Sequence, residues 1–318
     1  TYAGFDFTND WYMVEGETRP FLRSEYSTTI VNDHQLQLMA LAPSANYTLA
    51  ADIDMSDLSN PSSMWRTSAN PDTNGGYGFV PVGDDTTRFT GTFDGAGHTI
   101  TGLVINRPAA NNVGLFGVAG AGATISNVGL VGGSVTGDSA TGALVGYLYG
   151  TVSRSYATSS VSGTTAVGGL VGGVSGGTVS QSYATGEVHG SVNVGGLVGG
   201  MSGGAVSQSY ATGSVSGIDH YIGGLVGLAI NSTVTQSYAT GHVSGNSAVG
   251  GLIGFNNNSS IQSSYWDTTT SGTTVGIGAG TTTGATGLTT DQFQDTAFFM
   301  ASASSWDFNG VWAPPSDG

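Results

Sequence analysis

Two short motifs alternate along this chain at one shared period, and that period restricts the fold more than any other feature. Gly-Gly-Leu-Val-Gly runs from Gly168 to Gly172, Gly195 to Gly199 and Gly223 to Gly227, with near copies at Gly142 to Gly146 and Gly250 to Gly254 and an earlier relative at Val113 to Gly117. Its leucines, from Leu115 to Leu252, lie 29, 26, 27, 28 and 27 residues apart. Ser-Tyr-Ala-Thr-Gly and its variants fill the gaps, with Tyr156, Tyr183, Tyr210, Tyr238 and Tyr265 spaced 27, 27, 28 and 27 apart. Between the glycines lie β-prone stretches such as Thr178 to Tyr183, Glu187 to His189 and Val192 to Val194. They are too short for helices and are interrupted at the wrong interval for one. One such turn cannot bury its apolar side chains, whereas stacked turns share a continuous core. The period therefore predicts an all-β solenoid whose parallel strands rise by about 4.8 Å per coil. Glycine's tolerance of positive φ is expected to serve at the corners of a three-sided coil. The coil containing Gly217 to Ile222 is one residue longer than its neighbour, and the frame recovers at Gly223. Such an insertion belongs on a corner loop.

Composition closes off other classes. The 318 residues include 54 Gly and no Cys, and six Arg, with no Lys, face 21 acids for a formal charge of −15. Nucleic-acid binding needs a basic footprint that this chain lacks. A disulfide framework needs cysteine. No apolar run approaches the ~18 residues of a membrane span, so no membrane insertion is expected. The first residues carry no basic stretch followed by an apolar one, so no signal peptide is read here, and the chain looks mature or cut from something larger.

The flanks differ from the repeat. Residues 111–267 read as the regular solenoid of ~27-residue repeats. Residues 24–110 read as an irregular N-terminal cap and first coils, with Trp- or Pro-bearing loops and a glycine turn, Asp94 to His98, joining the alternating stretches Thr90 to Phe93 and His98 to Ile105. A cap is needed because a bare solenoid end offers unpaired N–H and C=O groups. Residues 268–318 read as a short capping or linker segment holding the only helix expected, Thr290 to Met300, with Thr289 or Thr290 as its N-cap. Residues 1–23 read as an N-terminal extension or the tail of a preceding module. The reason is a similarity between the two ends: Phe5-Asp6-Phe7 with Trp11, and Trp306-Asp307-Phe308 with Trp312, share aromatic-Asp-Phe followed four residues later by Trp.

The interleaved Gly-Gly-Leu-Val-Gly and Ser-Tyr-Ala-Thr-Gly copies resemble the GLUG repeat of bacterial surface and secreted proteins. Phe89 to Gly95, Gly102-Leu103 and Val113 to Gly117 resemble what precedes the repeat in those proteins. Thr286 to Thr289 with Trp306-Asp307-Phe308 resembles the family's closing segment, and Thr1 to Arg23 the continuation of one. The resemblance implies a right-handed parallel β-helix in filamentous-haemagglutinin-like adhesins of the bacterial cell surface. Some cell-surface metallopeptidases carry the repeat too, but their catalytic domain resembles nothing in this chain.

Glycoside hydrolysis needs two carboxylates about 5 to 9.5 Å apart. Between Asp138 and Asp267 the acids are Asp138, Glu187, Asp219 and Asp267, at different phases of the repeat. Glu187 aligns with Ser214 and His242, and two coils separate the first from the last, roughly 10 Å. His189 and His242 read as falling on opposite sides of the strand alternation, as solvated positions rather than metal ligands. No nucleophile elbow or phosphate loop is distinctive. Asp52-Ile53-Asp54-Met55-Ser56-Asp57 and Asp84-Asp85 hold oxygens that Ca²⁺ accepts, but they lack the EF-hand glycine and terminal Glu and read as acidic loops. No catalytic residue, metal site or cofactor is therefore expected. The repeat glycines Gly168, Gly172, Gly195, Gly199, Gly223, Gly227, Gly250 and Gly254 read as structural. The column Tyr156, Tyr183, Tyr210, Tyr238 and Tyr265 is core if it faces inward; facing outward it is the candidate ligand face, since flat aromatic surfaces suit sugar faces.

The expectation is a non-catalytic, secreted or surface-held adhesin or biofilm-matrix module. It would act as a stiff rod presenting surfaces to a glycan, an exopolysaccharide or a host or cell-surface protein, beside tandem modules of its parent chain. The alternative is a carbohydrate-active β-helix lyase or hydrolase whose acids, Asp52, Asp54, Asp84, Asp85 and Asp94, converge on a groove. A third reading, an ice-binding or surface-layer role, rests on the single column Thr158, Thr185, Thr212 and Thr240.

Overall fold

The computed structural model describes residues 2–59, 63–65 and 77–313. Thr1 and residues 60–62, 66–76 and 314–318 lie outside them.

A regular coil is built from five short strands. In one coil they are Thr178–Ser180, Tyr183–Ala184, Val188–Gly190, Val192–Gly195 and Val198–Ser202. Each strand pairs in parallel with its equivalents in the coils before and after, so the molecule is a β-solenoid of stacked columns, two of them nine strands long. The pairing is in register: Val179 lies between Val152 and Val206, and Tyr183 between Tyr156 and Tyr210. One face of each strand points inward, giving columns such as Val152, Val179, Val206 and Val234, all fully buried. Burial of each such side chain stabilises by about 1.5–3 kcal/mol. The added residue of the long coil is Ile218, which stands 72% exposed at a corner while Ile222 returns to register beside Val194.

The glycines are needed for a reason other than the one expected. Gly168, Gly172, Gly195, Gly199, Gly223, Gly227, Gly250 and Gly254 all lack positive φ. They sit where two stretches of backbone touch across a narrow interior. A Cβ on Gly195 would lie 2.6 Å from the Gly227 nitrogen and inside contact distance of the Val198 carbonyl oxygen. A Cβ on Gly196 would strike the Gly224 carbonyl oxygen and come within 2.8 Å of the Ala211 methyl. This contact links the two motifs: the second Gly of one packs against the Ala of the other, as Gly169 does with Ala184 and Gly224 with Ala239.

Left-handed positions are shared: glycine takes some corners, Gly176 and Gly203 among them, and other residues take the rest. Arg154, Gln181, Gln208, Gln236 and Ser263 turn the corner before the tyrosine strand with φ between 46° and 50°. Ala140, Ala166, Asn193, Tyr221 and Ala248 do the same one residue into the fourth strand. Such conformations cost non-glycine residues about 1–3 kcal/mol each and persist where surrounding structure over-determines them. Here the stacked hydrogen bonds do so. Inside the first corner Ser155, Ser182, Ser209 and Ser237 form a buried ladder, in which each Ser182-type hydroxyl donates to the carbonyl two residues back and accepts the backbone N–H of the coil below.

Both ends are closed. At the N-terminal end the core widens around Tyr47, Phe79, Phe89, Phe93 and Phe116, and a helix unforeseen from the sequence, α1 (Asp33–Leu38), lies over it with Asn32 as N-cap. Buried Gln37 accepts the Trp65 indole N–H at 2.7 Å and the Val80 N–H at 3.0 Å, tying the cap together. Phe21 is fully buried in this core, so the N-terminal segment joins the cap before residue 23. The turn from Asp94 to His98 is a coil corner rather than a hairpin, because Thr92–Asp94 and Thr99–Thr101 belong to different columns. At the other end the expected helix is split into α2 (Thr290–Gln294), with Thr289 and Gln292 forming a capping box, and α3 (Thr296–Ser302), capped by Asp295.

Candidate functional site

The tyrosine column faces outward. In each two-residue strand the Ala is buried and the Tyr half-buried, and the rings of Tyr156, Tyr183, Tyr210 and Tyr238 stack at 4.8, 4.7 and 5.0 Å with planes within 5°. Stacking at the coil rise leaves no free sugar platform, because each face covers the next. The lower face of Tyr156 rests on Gly129, where a Cβ would meet the ring. The upper face of Tyr238 meets Trp306, 6.1 Å away and nearly parallel. What the stripe presents is a rank of ring edges and phenol hydroxyls. Burial, together with the neighbouring phenol, raises the pKa of Tyr183, Tyr210 and Tyr238, that of Tyr210 being pushed up to about 12.

Chain from the C-terminus folds back over part of this stripe. Trp312 stands 6.2 Å from Tyr210 and 5.7 Å from Tyr238. Tyr265 is 4% exposed, and its hydroxyl donates to the Ser302 carbonyl at 2.6 Å. The Trp306 indole N–H donates to the Ser263 carbonyl at 2.9 Å, and the Gln236 amide donates to the Ser305 carbonyl. Between Trp312 and the stripe opens a cleft of about 480 Å³ lined by Arg154, Gln181, Tyr183, Gln208 and Tyr210. Past Arg154 a second cleft of about 450 Å³ continues along Tyr156 to Asn127 and Gly97. The Trp312 Nε1 is buried with no hydrogen-bond partner among the described residues. Sequence reasoning singled out the tyrosines but missed the amide column Gln181, Gln208 and Gln236, although the same repeat carries it.

Among the described residues, the N-terminal acids singled out above are each engaged by separate partners. Asp52 accepts from the Thr99 N–H at 2.8 Å and pairs with His98 at 3.2 Å, and Asp54 accepts the Ser56 N–H. Asp94 accepts from the Ala96 N–H and from Asn127, which in turn accepts from Arg154. Asp84 and Asp85 lie elsewhere, the first closing its own turn with Thr86 and Thr87, the second accepting from Asn112. Hydrogen bonds hold the carboxyls of Asp52, Asp54, Asp84 and Asp94 below the usual carboxylate range. In the repeat, Glu187 pairs with His189 and Asp219 with His220, and Asp267 is buried and accepts the Thr290 hydroxyl at 2.7 Å. His189 and His242 are both exposed, not on opposite sides, since the inward positions between them go to Val188 and Val243. Among the described residues no three His, Asp or Glu cluster as a metal site. No helix of the described residues is long and apolar enough to cross a membrane. Thr185 and Thr212 are exposed but form one column only.

The chain carries the GLUG motif twice, at residues 163–188 and 219–244. It is 40% identical over 130 residues, 41% of its length, to halomucin of Haloquadratum walsbyi, and 36% identical over 110 residues, 34% of its length, to a Gly-rich protein of Evansella cellulosilytica named as a membrane protein. The chain spans 1% and 11% of these relatives. Among solved structures it is similar to a Bacteroides ovatus protein named as an immunoglobulin A1 protease, at TM-score 0.61 and 20% identity over 86% of each chain. An IgA1 protease is similar at TM-score 0.51 and 16% identity, over 76% of this chain and 19% of that one. At these identities the likeness is one of fold.

Proposed function

We propose that this chain is a non-catalytic module of an extracellular surface protein. It is a rigid solenoid that holds weak binding surfaces for glycans or cell-surface proteins away from the cell. The carrying observation is the dispersal of its carboxylates. Glycan hydrolysis needs one carboxyl held protonated beside one ionised, whereas Asp52, Asp54, Asp84 and Asp94 are each held low by separate partners. The two curated relatives, a mucin by name and a membrane protein by name, support a place at the cell surface. Adhesion requires only a stiff scaffold and repetition, because weak contacts add through effective concentration. Nine stacked strands give a length of roughly 40 Å at 4.8 Å per step. The fragment should leave acidic and neutral polysaccharides uncleaved over long incubation. It should bind a glycan or matrix protein weakly when free and at least tenfold more tightly when clustered on beads. Glycan depolymerisation that vanishes in Asp84→Asn, Asp85→Asn or Asp94→Asn would overturn the reading in favour of an enzyme.

A further inference from the structure

The two ends of the chain fold into the same aromatic turn. The Asp6 carboxylate accepts the N–H groups of Thr8 and Asn9 at 2.8 and 3.0 Å, and its carbonyl accepts those of Asp10 and Trp11. The Asp307 carboxylate accepts the N–H groups of Asn309 and Gly310 at 2.9 and 3.0 Å, and its carbonyl accepts those of Val311 and Trp312. Ring geometry repeats too. Phe5 stacks on Phe7 at 6.1 Å and touches Trp11 at 4.7 Å; Trp306 stacks on Phe308 at 6.4 Å and touches Trp312 at 4.4 Å.

The surroundings differ. The C-terminal turn sits on the tyrosine stripe, leaving Trp306 5% exposed. The N-terminal turn is held through Arg23, whose side chain donates to the Trp11 and Phe7 carbonyls, and its rings face solvent, Phe5 at 38% and Tyr2 at 41%. It cannot reach its own stripe. The column that starts at Thr29–Ile30 passes three further strands before Thr151–Ser153, in the coil of Tyr156. That is four steps, roughly 20 Å.

We propose that the N-terminal turn, Tyr2 to Trp11, docks on the tyrosine stripe of a second copy of this chain, against Tyr156 and Tyr183. The seat there shares the ring edges and the amide column of the one that the C-terminal turn occupies, while both faces of Tyr183 are covered by Tyr156 and Tyr210. Tyr183 and Tyr210 stack as Tyr210 and Tyr238 do, and Gln181 and Gln208 hold the register position of Gln236, whose amide donates to the Ser305 carbonyl. Gly4 occupies the place of Ser305, so its carbonyl is the acceptor for Gln181. The cleft between Trp312 and the stripe is the space that the incoming rings fill. Such a contact is heterologous, with turn and stripe at different places on the chain, so it propagates head to tail rather than closing as a dimer. The inference rests on the module reading for where copies meet, but not on glycan binding.

Sedimentation velocity of the 318-residue chain from 1 to 500 µM is the test. Mass-average size should rise with concentration. Phe5→Ser and Tyr183→Ser should each weaken association at least tenfold, with Phe5→Ser leaving the melting curve unchanged. A photo-crosslinker replacing Phe5 should attach to residues 154–210 of another copy. A monomer throughout the range, association that Phe5→Ser leaves intact, or crosslinks that fall elsewhere would each overturn the proposal. A silent glycan screen with association intact would sink only the adhesive reading.

Discussion

Gly196 and Gly200 lie four residues apart in one coil, yet only one of them has no room for a side chain. A Cβ at Gly196 meets the Gly224 carbonyl and the Ala211 methyl, whereas at Gly200 the nearest atoms, the methyl of Ala166 and the Cβ of Leu228, are 3.9 Å away. Neither has positive φ, so backbone strain does not separate them. Gly196→Ala should therefore destabilise by about 2 kcal/mol or more through overpacking. Gly200→Ala should be neutral or stabilise by about 0.4–1 kcal/mol by restricting the unfolded chain. Urea denaturation of the two variants checks this, and equal effects would show that the interior is looser than described. Motif spacing made these glycines visible in the sequence but not their purpose. Corner turning and backbone contact both demand glycine, and only the distance across the coil tells them apart.

The strands of Tyr156, Tyr183, Tyr210 and Tyr238 are two residues long. Period-2 alternation cannot be read from two positions, so the sequence leaves the direction of Tyr183 open; the structure settles it, because the Ala of each pair meets glycine inside. Helix α1 was hidden for a similar reason: six residues are less than two turns, too few for a periodic signal, and only its Asn32 cap marks it. The Leu, Val and Ile columns were legible because every coil repeats them. The stacked phenols carry a pH signature. Free tyrosine titrates near pH 10, and burial raises Tyr183, Tyr210 and Tyr238 above that, Tyr210 to about 12. A phenol whose folded pKa is raised contributes stability that is complete below pH ~10 and lost as pH climbs through the folded values. The melting temperature should hold steady up to pH ~10 and fall between pH 10 and 12, while absorbance at 295 nm reports a late-ionising set of tyrosines. A single midpoint near 10 for every ring would contradict the stacked ladder.

At the scale of the whole molecule the two ends decide whether the solenoid stays finite. Removal of residues 289–318 strips α2, α3 and the Trp306 turn from Tyr238 and Tyr265, and exposes the edge strand Ala285–Leu288. Unpaired edges recruit other strands. The shortened chain should aggregate or melt several degrees lower, as light scattering during a thermal ramp will show; unchanged behaviour would mean that the C-terminal segment is not a cap. The similarity between the two termini was legible as a string of residues. The seat of the C-terminal turn was not, because the contacts of Trp306 and Trp312 with Tyr210 and Tyr238 join residues far apart in the sequence.

Register has a further consequence, which concerns how such a chain changes over generations. Tyr183 and Tyr210 occupy equivalent places, and everything between them forms one complete coil. Any crossover between two equivalent points of the gene adds or deletes a whole coil and leaves each remaining side chain beside its customary neighbours. Length becomes a matter of copy number, open to adjustment without a new packing solution. Excision of residues 183–209, joining Ser182 to Tyr210, should accordingly yield a shorter protein that still melts cooperatively with the same β signal. A cut out of phase with the repeat, removing residues 183–215 and joining Ser182 to Ser216, should not fold.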